Sequence, residues 1–267
     1  MTASTSTAEA RNPSRFTTLN VDQGDGRMHV RLHRPDVRNA INAVMVEELH
    51  AVCADLERDP RVLILSGTAA DPASGTKAIF ASGADIAQLR ARRREDALAG
   101  INSSLFNRIA GLPMPVIAAL DGFALGGGAE LAYAADFRIG TAGLRMGNPE
   151  TGLGILAAAG ATWRLRELVG EPLAKEILLA GRILNGEECL EAGLITQLVE
   201  PEHLIEAANA LADRIARQDA LAVRLTKSVF HAPREAHPLV DTLAQGMLFE
   251  SPAKFDLMQQ FLDRKKS

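Results

Sequence analysis

Cysteine is nearly absent from this sequence of 267 residues: only Cys53 and Cys189 occur, and they form no CxxC pair. That excludes a disulfide scaffold and leaves reduced thiols in a cytoplasmic setting as the expectation. Of the six histidines only His29 and His33 stand at HxxxH spacing, and they fall in an alternating, strand-like stretch rather than on a helix, so no metal site is expected. No apolar run approaches the roughly 20 residues that span a membrane. The formal net charge is -4 and no long basic block occurs, which argues against nucleic acid as a partner. The densest positive run, "RARRRED" from Arg90 to Asp96, reads as a solvated helix face or as the rim of a site for an anionic ligand. With one Trp and one Tyr, the chain offers few stacking platforms for a sugar.

What is present is apolar and patterned. Hydrophobic residues make up 47%, enough for a sizeable core. The opening residues 1–15 are small and polar and read as a disordered leader. Alternating residues on either side of Asp25-Gly26 predict a hairpin. Asn42 is placed to cap a helix from Ala43 to Arg58, in which Val46, Leu49, Val52, Cys53 and Leu56 recur at helical spacing. "RVLILSG", "VIAAL" and "FRIGT" read as strands, the first two as short buried ones. A helix from Ile101 to Ala110 stops before the prolines of "GLPMP". From Ala157 onward the pattern is helical, broken by one strand, "LITQLV". The expectation is an α/β fold: a leader over 1–15, a core over 16–200 that carries the site, and a helical region over 201–267.

The stretch "LDGFALGGGAELAYAAD" puts three glycines between a strand and a helix. A P-loop would need GxxxxGK[ST], and no lysine follows. A dinucleotide fingerprint would need a third glycine where Leu131 stands. Two readings remain: a plain tight turn, or a bare turn whose N–H groups stabilise negative charge on a substrate oxygen. "ASGAD", Ala81 to Asp85, is a second glycine turn opening a helix, and two such turns can each donate one N–H to the same oxygen. Glu130 follows the three glycines, and Glu150 lies in "GNPETGLG", a segment too small and apolar for an ordinary charged surface. Two carboxylates facing one pocket can divide acid and base roles, and their repulsion tends to keep one protonated. A paired-carboxylate glycosidase is disfavoured by the lack of aromatics, and no GxSxG elbow supports a serine hydrolase.

"KAIFASGADIAQL", "ALDGFALGGGAELAYAADFRIG", "GNPETGLGI" and "AGRILNGEECLEAGLITQLV" resemble, in that order, signature segments of the enoyl-CoA hydratase/isomerase (crotonase) family. The resemblance runs from about Thr18 to the C-terminus. It implies a spiral of ββα units with a helical C-terminal oligomerisation region, assembled as a homotrimer or as a hexamer of paired trimers. It implies a coenzyme A thioester substrate and no permanently bound cofactor. By motif, the oxyanion hole falls to the backbone N–H groups of Ala84 and Gly127. Glu130 would help to activate the water that adds at C3, and Glu150 would supply the proton at C2. Arg38, Ala40, Ser82, Asp85, Ile86 and Ala87 match segments that contact coenzyme A, and Gly126, Pro149 and Ala158 are further substrate-binding positions by the same resemblance. The segment after Glu150 departs from the hydratase pattern: Ala157, Ala158 and Ala159 replace a Pro-Gly stretch, and Trp163 stands where Gln is usual. The water-holding N–H would come from Ala158. The resemblance implies hydration of an enoyl-CoA. Isomerisation or C–C bond cleavage on the same enolate is the alternative, and a silent coenzyme A-binding subunit a further one.

Overall fold

The computed structural model describes residues 15–24, 26–71 and 73–264. Apart from Arg15, the expected leader lies outside the described residues, as does Asp25 of the expected hairpin turn.

Strands β1 (Leu19–Gly24) and β2 (Arg27–Leu32) form an antiparallel hairpin, with Leu19 opposite Leu32. Helix α1 (Ala43–Arg58) begins where Asn42 Oδ1 accepts the Met45 N–H at 2.9 Å, which satisfies one of the free donors of a helix start. Its buried stripe holds the five residues expected from the spacing, together with Met45. Strand β3 (Val62–Ser66) is buried at every residue because it pairs in parallel with neighbours on both edges. The chain continues through β4 (Ile79–Ala81), α2 (Ile86–Ala91), α3 (Arg94–Ala99), α4 (Ile101–Ala110), β5 (Val116–Leu120), β6 (Phe123–Leu125) and α5 (Gly127–Tyr133). Then come β7 (Phe137–Gly140), β8 (Arg145–Gly147), α6 (Ala161–Val169), α7 (Glu171–Ala180), β9 (Ile183–Asn185), α8 (Gly186–Glu191) and β10 (Gln197–Leu198). Helices α9 (Leu204–Ala216), α10 (Ala220–Phe230), α11 (Leu239–Phe249) and α12 (Pro252–Arg264) close the chain.

Two sheets organise these elements. The larger runs β1-β2-β3-β5-β7-β10 and the smaller β4-β6-β8-β9. Successive strand pairs, β3 with β4, β5 with β6 and β7 with β8, each place one strand in each sheet and advance by one position in both. A helix follows each pair, so the chain winds as a spiral of ββα units. The corner between β5 and β6 needs Gly122: a Cβ there would lie 1.8 Å from the Ala78 carbonyl oxygen. Strands β6, β8 and β9 were not expected from the sequence. Each has three residues, too few for alternation to show. Beyond Ala157 the chain therefore carries two strands, at Ile183–Asn185 and Gln197–Leu198, rather than one.

The helical region divides by its contacts. Helix α9 lays Leu204, Ala208, Leu211, Ala212 and Ile215 on Val62, Ile64, Ile117 and Ile139 of the larger sheet. On α10, buried Lys227 bonds Asp136 Oδ2 at 2.7 Å and the Met114 carbonyl at 3.1 Å. Helices α11 and α12 bury no residue in this chain, and Leu239, Leu243, Met247, Phe255 and Met258 on them are each more than half exposed.

Candidate active site

The first wall of the site is two loops zipped together. The turn before α1 places Arg38 and Asn39 in the left-handed region, at φ 55° and 53°. Asn39 is buried and tolerates this because its side chain bonds locally and across. Its Oδ1 accepts the Arg34 N–H at 2.8 Å, and its Nδ2 reaches the Ile79 and Phe80 carbonyls at 3.1 Å each. The Ser82 N–H donates to the Arg38 carbonyl at 3.1 Å, Ile41 N–H to the Gly83 carbonyl at 2.8 Å, and Asp85 N–H to the Ile41 carbonyl at 2.9 Å. The segments Arg38–Ala40 and Ser82–Ala87 thus form one surface. Between the two bonds at Gly83 and Asp85, the Ala84 N–H meets no acceptor among the described residues. Asp85 caps α2 through the Gln88 N–H at 3.3 Å and pairs with Arg34 at 3.5 Å. Arg38, Ile86 and Ala87 are exposed along the outer lip, and Ala40 is buried beneath it.

The second wall is the turn Gly126-Gly127-Gly128, where each glycine has its own reason. Gly126 adopts φ 52°, ψ -124°, and a Cβ on it would stand 3.0 Å from Glu150 Oε1. Gly128 packs α5 on β4 so closely that a Cβ would lie 2.3 Å from the Ala81 carbonyl oxygen. Gly127 has room: its Cβ position is 3.5 Å from the Ala84 nitrogen and 3.6 Å from Asn102 Nδ2. The two turns expected to share one oxygen therefore meet at Gly127. The N–H of Gly127, at the start of α5, has no acceptor among the described residues.

Both acids are buried beside this turn. Glu130 Oε1 accepts the Ala159 N–H at 2.7 Å and the Ala161 N–H at 3.2 Å. Ala158, expected to supply the N–H that holds the water, is exposed between this pair of bonds and Glu150 in the chain. Burial pushes the Glu130 carboxyl up to about 7; Glu150 repels in the same direction, and the two N–H bonds oppose the rise. Glu150 follows Pro149 in a short 3-10 turn, Pro149–Leu153. Its Oε1 accepts from Asn148 Nδ2 at 3.4 Å, while its buried Oε2 has no partner among the described residues. Burial raises its pKa too. Asn148 is itself held by the Tyr133 hydroxyl, which donates to its Oδ1 at 3.0 Å.

Sequence reasoning missed Asn39, Asn102, Asn148 and Arg164, and read Arg92 only as part of a basic run. Asn102 carried a signal: it lies on the apolar stripe of α4 with Leu105, Phe106 and Ile109. Arg164 stands beside the Glu130 turn: a Cβ on Gly160 would touch its Nη1, and its Nη2 donates to Asn107 Oδ1 at 2.8 Å. The basic run from Arg90 splits, with Arg90, Arg93 and Arg94 exposed and Arg92 turned inward toward Asn102. Among the described residues no cluster of His, Cys, Asp or Glu could hold a metal.

The arrangement offers two neighbouring N–H donors without acceptors among the described residues and two carboxyls with raised pKa. Known proteins share its sequence and its shape. The family model described as enoyl-CoA hydratase/isomerase matches residues 23–267. A short-chain-enoyl-CoA hydratase of Clostridium acetobutylicum is 34% identical over 245 residues, which cover 89% of this chain and 91% of the relative. A crotonyl-CoA hydratase of Syntrophomonas wolfei is 34% identical over 88% of this chain and 91% of its own. The crystal structure of an enoyl-CoA hydratase from Bacillus anthracis superposes with a TM-score of 0.85 at 28% identity, covering 93% of this chain and 97% of that one. On this sequence and fold, the chain belongs to the enoyl-CoA hydratase/isomerase family.

Proposed function

We propose that the chain is an enoyl-CoA hydratase, which adds water across the 2,3 double bond of an enoyl-CoA thioester to give a 3-hydroxyacyl-CoA. The observation that carries this reading is the pairing of Glu130 and Glu150, both buried and both raised in pKa, beside the turn where the Ala84 nitrogen faces Gly127. The thioester oxygen lies between the Ala84 and Gly127 N–H groups. Water bonds to C3 and gives its proton to Glu130. The electron pair of the double bond moves onto the thioester as an enolate, which the two N–H groups stabilise. C2 then takes a proton from Glu150, and exchange with solvent resets the pair.

Coenzyme A enters as part of the substrate, and no resident cofactor is required. Its path follows Ser82, Asp85, Ile86 and Ala87 against Arg38 and Ala40, with exposed Arg38 as a phosphate partner. The names of the Clostridium and Syntrophomonas relatives favour a short acyl chain. The apolar faces of α11 and α12 support a homotrimer or hexamer. The free, buried thiols of Cys53 and Cys189 suit a reducing, cytoplasmic compartment. The test is a spectrophotometric screen of enoyl-CoA thioesters of varied length and branching. Loss of the conjugated thioester absorbance with crotonyl-CoA is expected. No hydration of any thioester in the screen would overturn the reading.

A further inference from the structure

A third donor faces the oxyanion turn. Asn102 is a buried polar residue on an otherwise apolar stripe of α4. Its Oδ1 lies 3.5 Å from Arg92 Nη2, the contact that orients it. A guanidinium only donates, so the carbonyl end of the amide must face Arg92 and the NH₂ end must face away. That NH₂ end points at Gly127, 3.6 Å from the site its Cβ would occupy. The Ala84 nitrogen is 3.5 Å from the same point. Nδ2 has no acceptor among the described residues, although the residue is only 9% exposed. Nδ2 is not sealed from solvent, as a donor that must meet an entering substrate cannot be, and it stands beside two unused backbone donors, an arrangement that can meet an oxygen.

We propose that Asn102 donates through Nδ2 to the substrate's thioester oxygen, as a side-chain member of the oxyanion hole, and that Arg92 is its positioning residue. The inference rests on the hydration reading above. Arg92 has no carboxylate partner among the described residues, so its charge is free to polarise the Asn102 amide. With the cation at Oδ1, the N–H bonds carry more positive charge toward the oxygen. The stabilisation grows as the carbonyl becomes an enolate, so it appears in turnover more than in binding.

The experiment compares Asn102→Ala, Asn102→Leu, Arg92→Gln and the Arg92→Gln/Asn102→Ala double variant with wild type on crotonyl-CoA. Both Asn102 variants are expected to lower kcat by about 10²-fold, with KM changed by less than about threefold. Leu keeps the γ-branched shape of Asn without its donor, so recovery of wild-type kcat in Asn102→Leu would mean that the residue only packs, and would overturn the proposal. Arg92→Gln is expected to lower kcat less than Asn102→Ala, with no further loss in the double variant. A rise in KM at unchanged kcat, additive with Asn102→Ala, would make Arg92 an anchor for anionic coenzyme A and overturn its positioning role. A second readout does not need hydration. Acetoacetyl-CoA forms a stable enolate with its own ultraviolet band, and its apparent pKa when bound should be higher in Asn102→Leu than in wild type. An unchanged enolate pKa would sink the proposal even if wild type hydrates nothing, whereas failed hydration with the expected enolate shift would overturn the hydration reading alone.

Discussion

Three adjacent glycines do three separate jobs, and alanine substitutions should tell them apart. At Gly127 a methyl group meets only ordinary contacts, the nearest at 3.5 Å, and the backbone is not in the left-handed region. Gly127→Ala should therefore fold and melt like wild type, while its methyl fills the space in which the thioester oxygen must sit. Turnover should fall by at least about 10²-fold. At Gly128 the same methyl would lie 2.3 Å from the Ala81 carbonyl oxygen, so β4 or α5 must move. Gly128→Ala should cost stability, about 1–3 kcal/mol or more. Parallel thermal melts and hydration assays check both, and a fully active Gly127→Ala would remove that turn from the mechanism.

The acids give a second prediction at the same scale. Glu130 must be ionised to take a proton from water, and burial with the neighbouring Glu150 holds its carboxyl at about 7. The profile of kcat/KM should thus fall on the acid side below about pH 7, tenfold for each further pH unit. A raised carboxyl pKa also links folding to pH. The folded chain holds this proton more tightly than the unfolded chain, so the contribution is full below the ordinary carboxyl range. It is lost as pH rises through about 7. Glu130→Gln is neutral at every pH and can still accept the Ala159 and Ala161 N–H bonds. It should raise the melting temperature more at about pH 8 than at about pH 5, while abolishing hydration. Equal melting shifts at both pH values would show that Glu130 is not ionised in a buried state.

At the scale of elements, legibility followed length and period. Helices α1 and α4 and strand β3 could be read because apolar residues recur along them, and the cap at Asn42 marks where α1 begins. Of the smaller sheet's three-residue strands, β6, β8 and β9 could not. They exist because glycine corners bring the chain back under its neighbours, which is a property of the whole spiral. The candidate site divides the same way. Glu130, Glu150 and both glycine turns lay in local motifs. Asn39, by contrast, works through bonds to β4 some 40 residues away, and such pairings leave no local pattern.

One long-range pairing makes its own prediction. Half-buried Asp136 accepts the Val116 N–H at 2.7 Å and Lys227 Nζ at 2.7 Å, and its Oδ1 lies 3.3 Å from His231 Nε2, which locks α10 to the start of β5. The hydrogen bond to His231, the Lys227 cation with its hydrogen bond, and the Val116 N–H together hold the Asp136 carboxyl below the usual range, against the desolvation that raises it. Lys227→Met removes the cation and leaves the carboxylate with only the Val116 N–H and His231, so it should destabilise the fold by up to about 3 kcal/mol. Adding Asp136→Asn to Lys227→Met should recover part of that loss, because no buried charge remains unpaired. Chemical denaturation of the three variants would show this, and an additive double variant would mean that the two residues act independently.

For the whole molecule, the question is what covers the last two helices. The resemblance implies an oligomerisation region over 201–267, but not all of its apolar residues are free to form one. Leu204, Leu211 and Ile215 turn out to be core residues of this chain, covered by its own sheet. What remains is a narrower and stronger signal. On α11, Leu239, Leu243 and Met247 recur every four residues, and all three are more than half exposed. On α12, Phe255 and Met258 are exposed to a similar degree. A contiguous apolar surface on two successive helices is costly to leave in water. Closed cyclic assembly would bury it by using the same patches on every copy. The protein is therefore expected to be a trimer or hexamer by light scattering at micromolar concentration. Paired substitutions Leu243→Asp and Met247→Asp should place charge in the middle of the buried surface and shift the population to monomer. The active-site segments Arg38–Ala40, Ser82–Ala87 and Gly126–Glu130 lie on other elements, so the monomer should remain folded by circular dichroism. A monomeric wild type, or an aspartate pair that leaves the assembly intact, would mean that α11 does not form the interface.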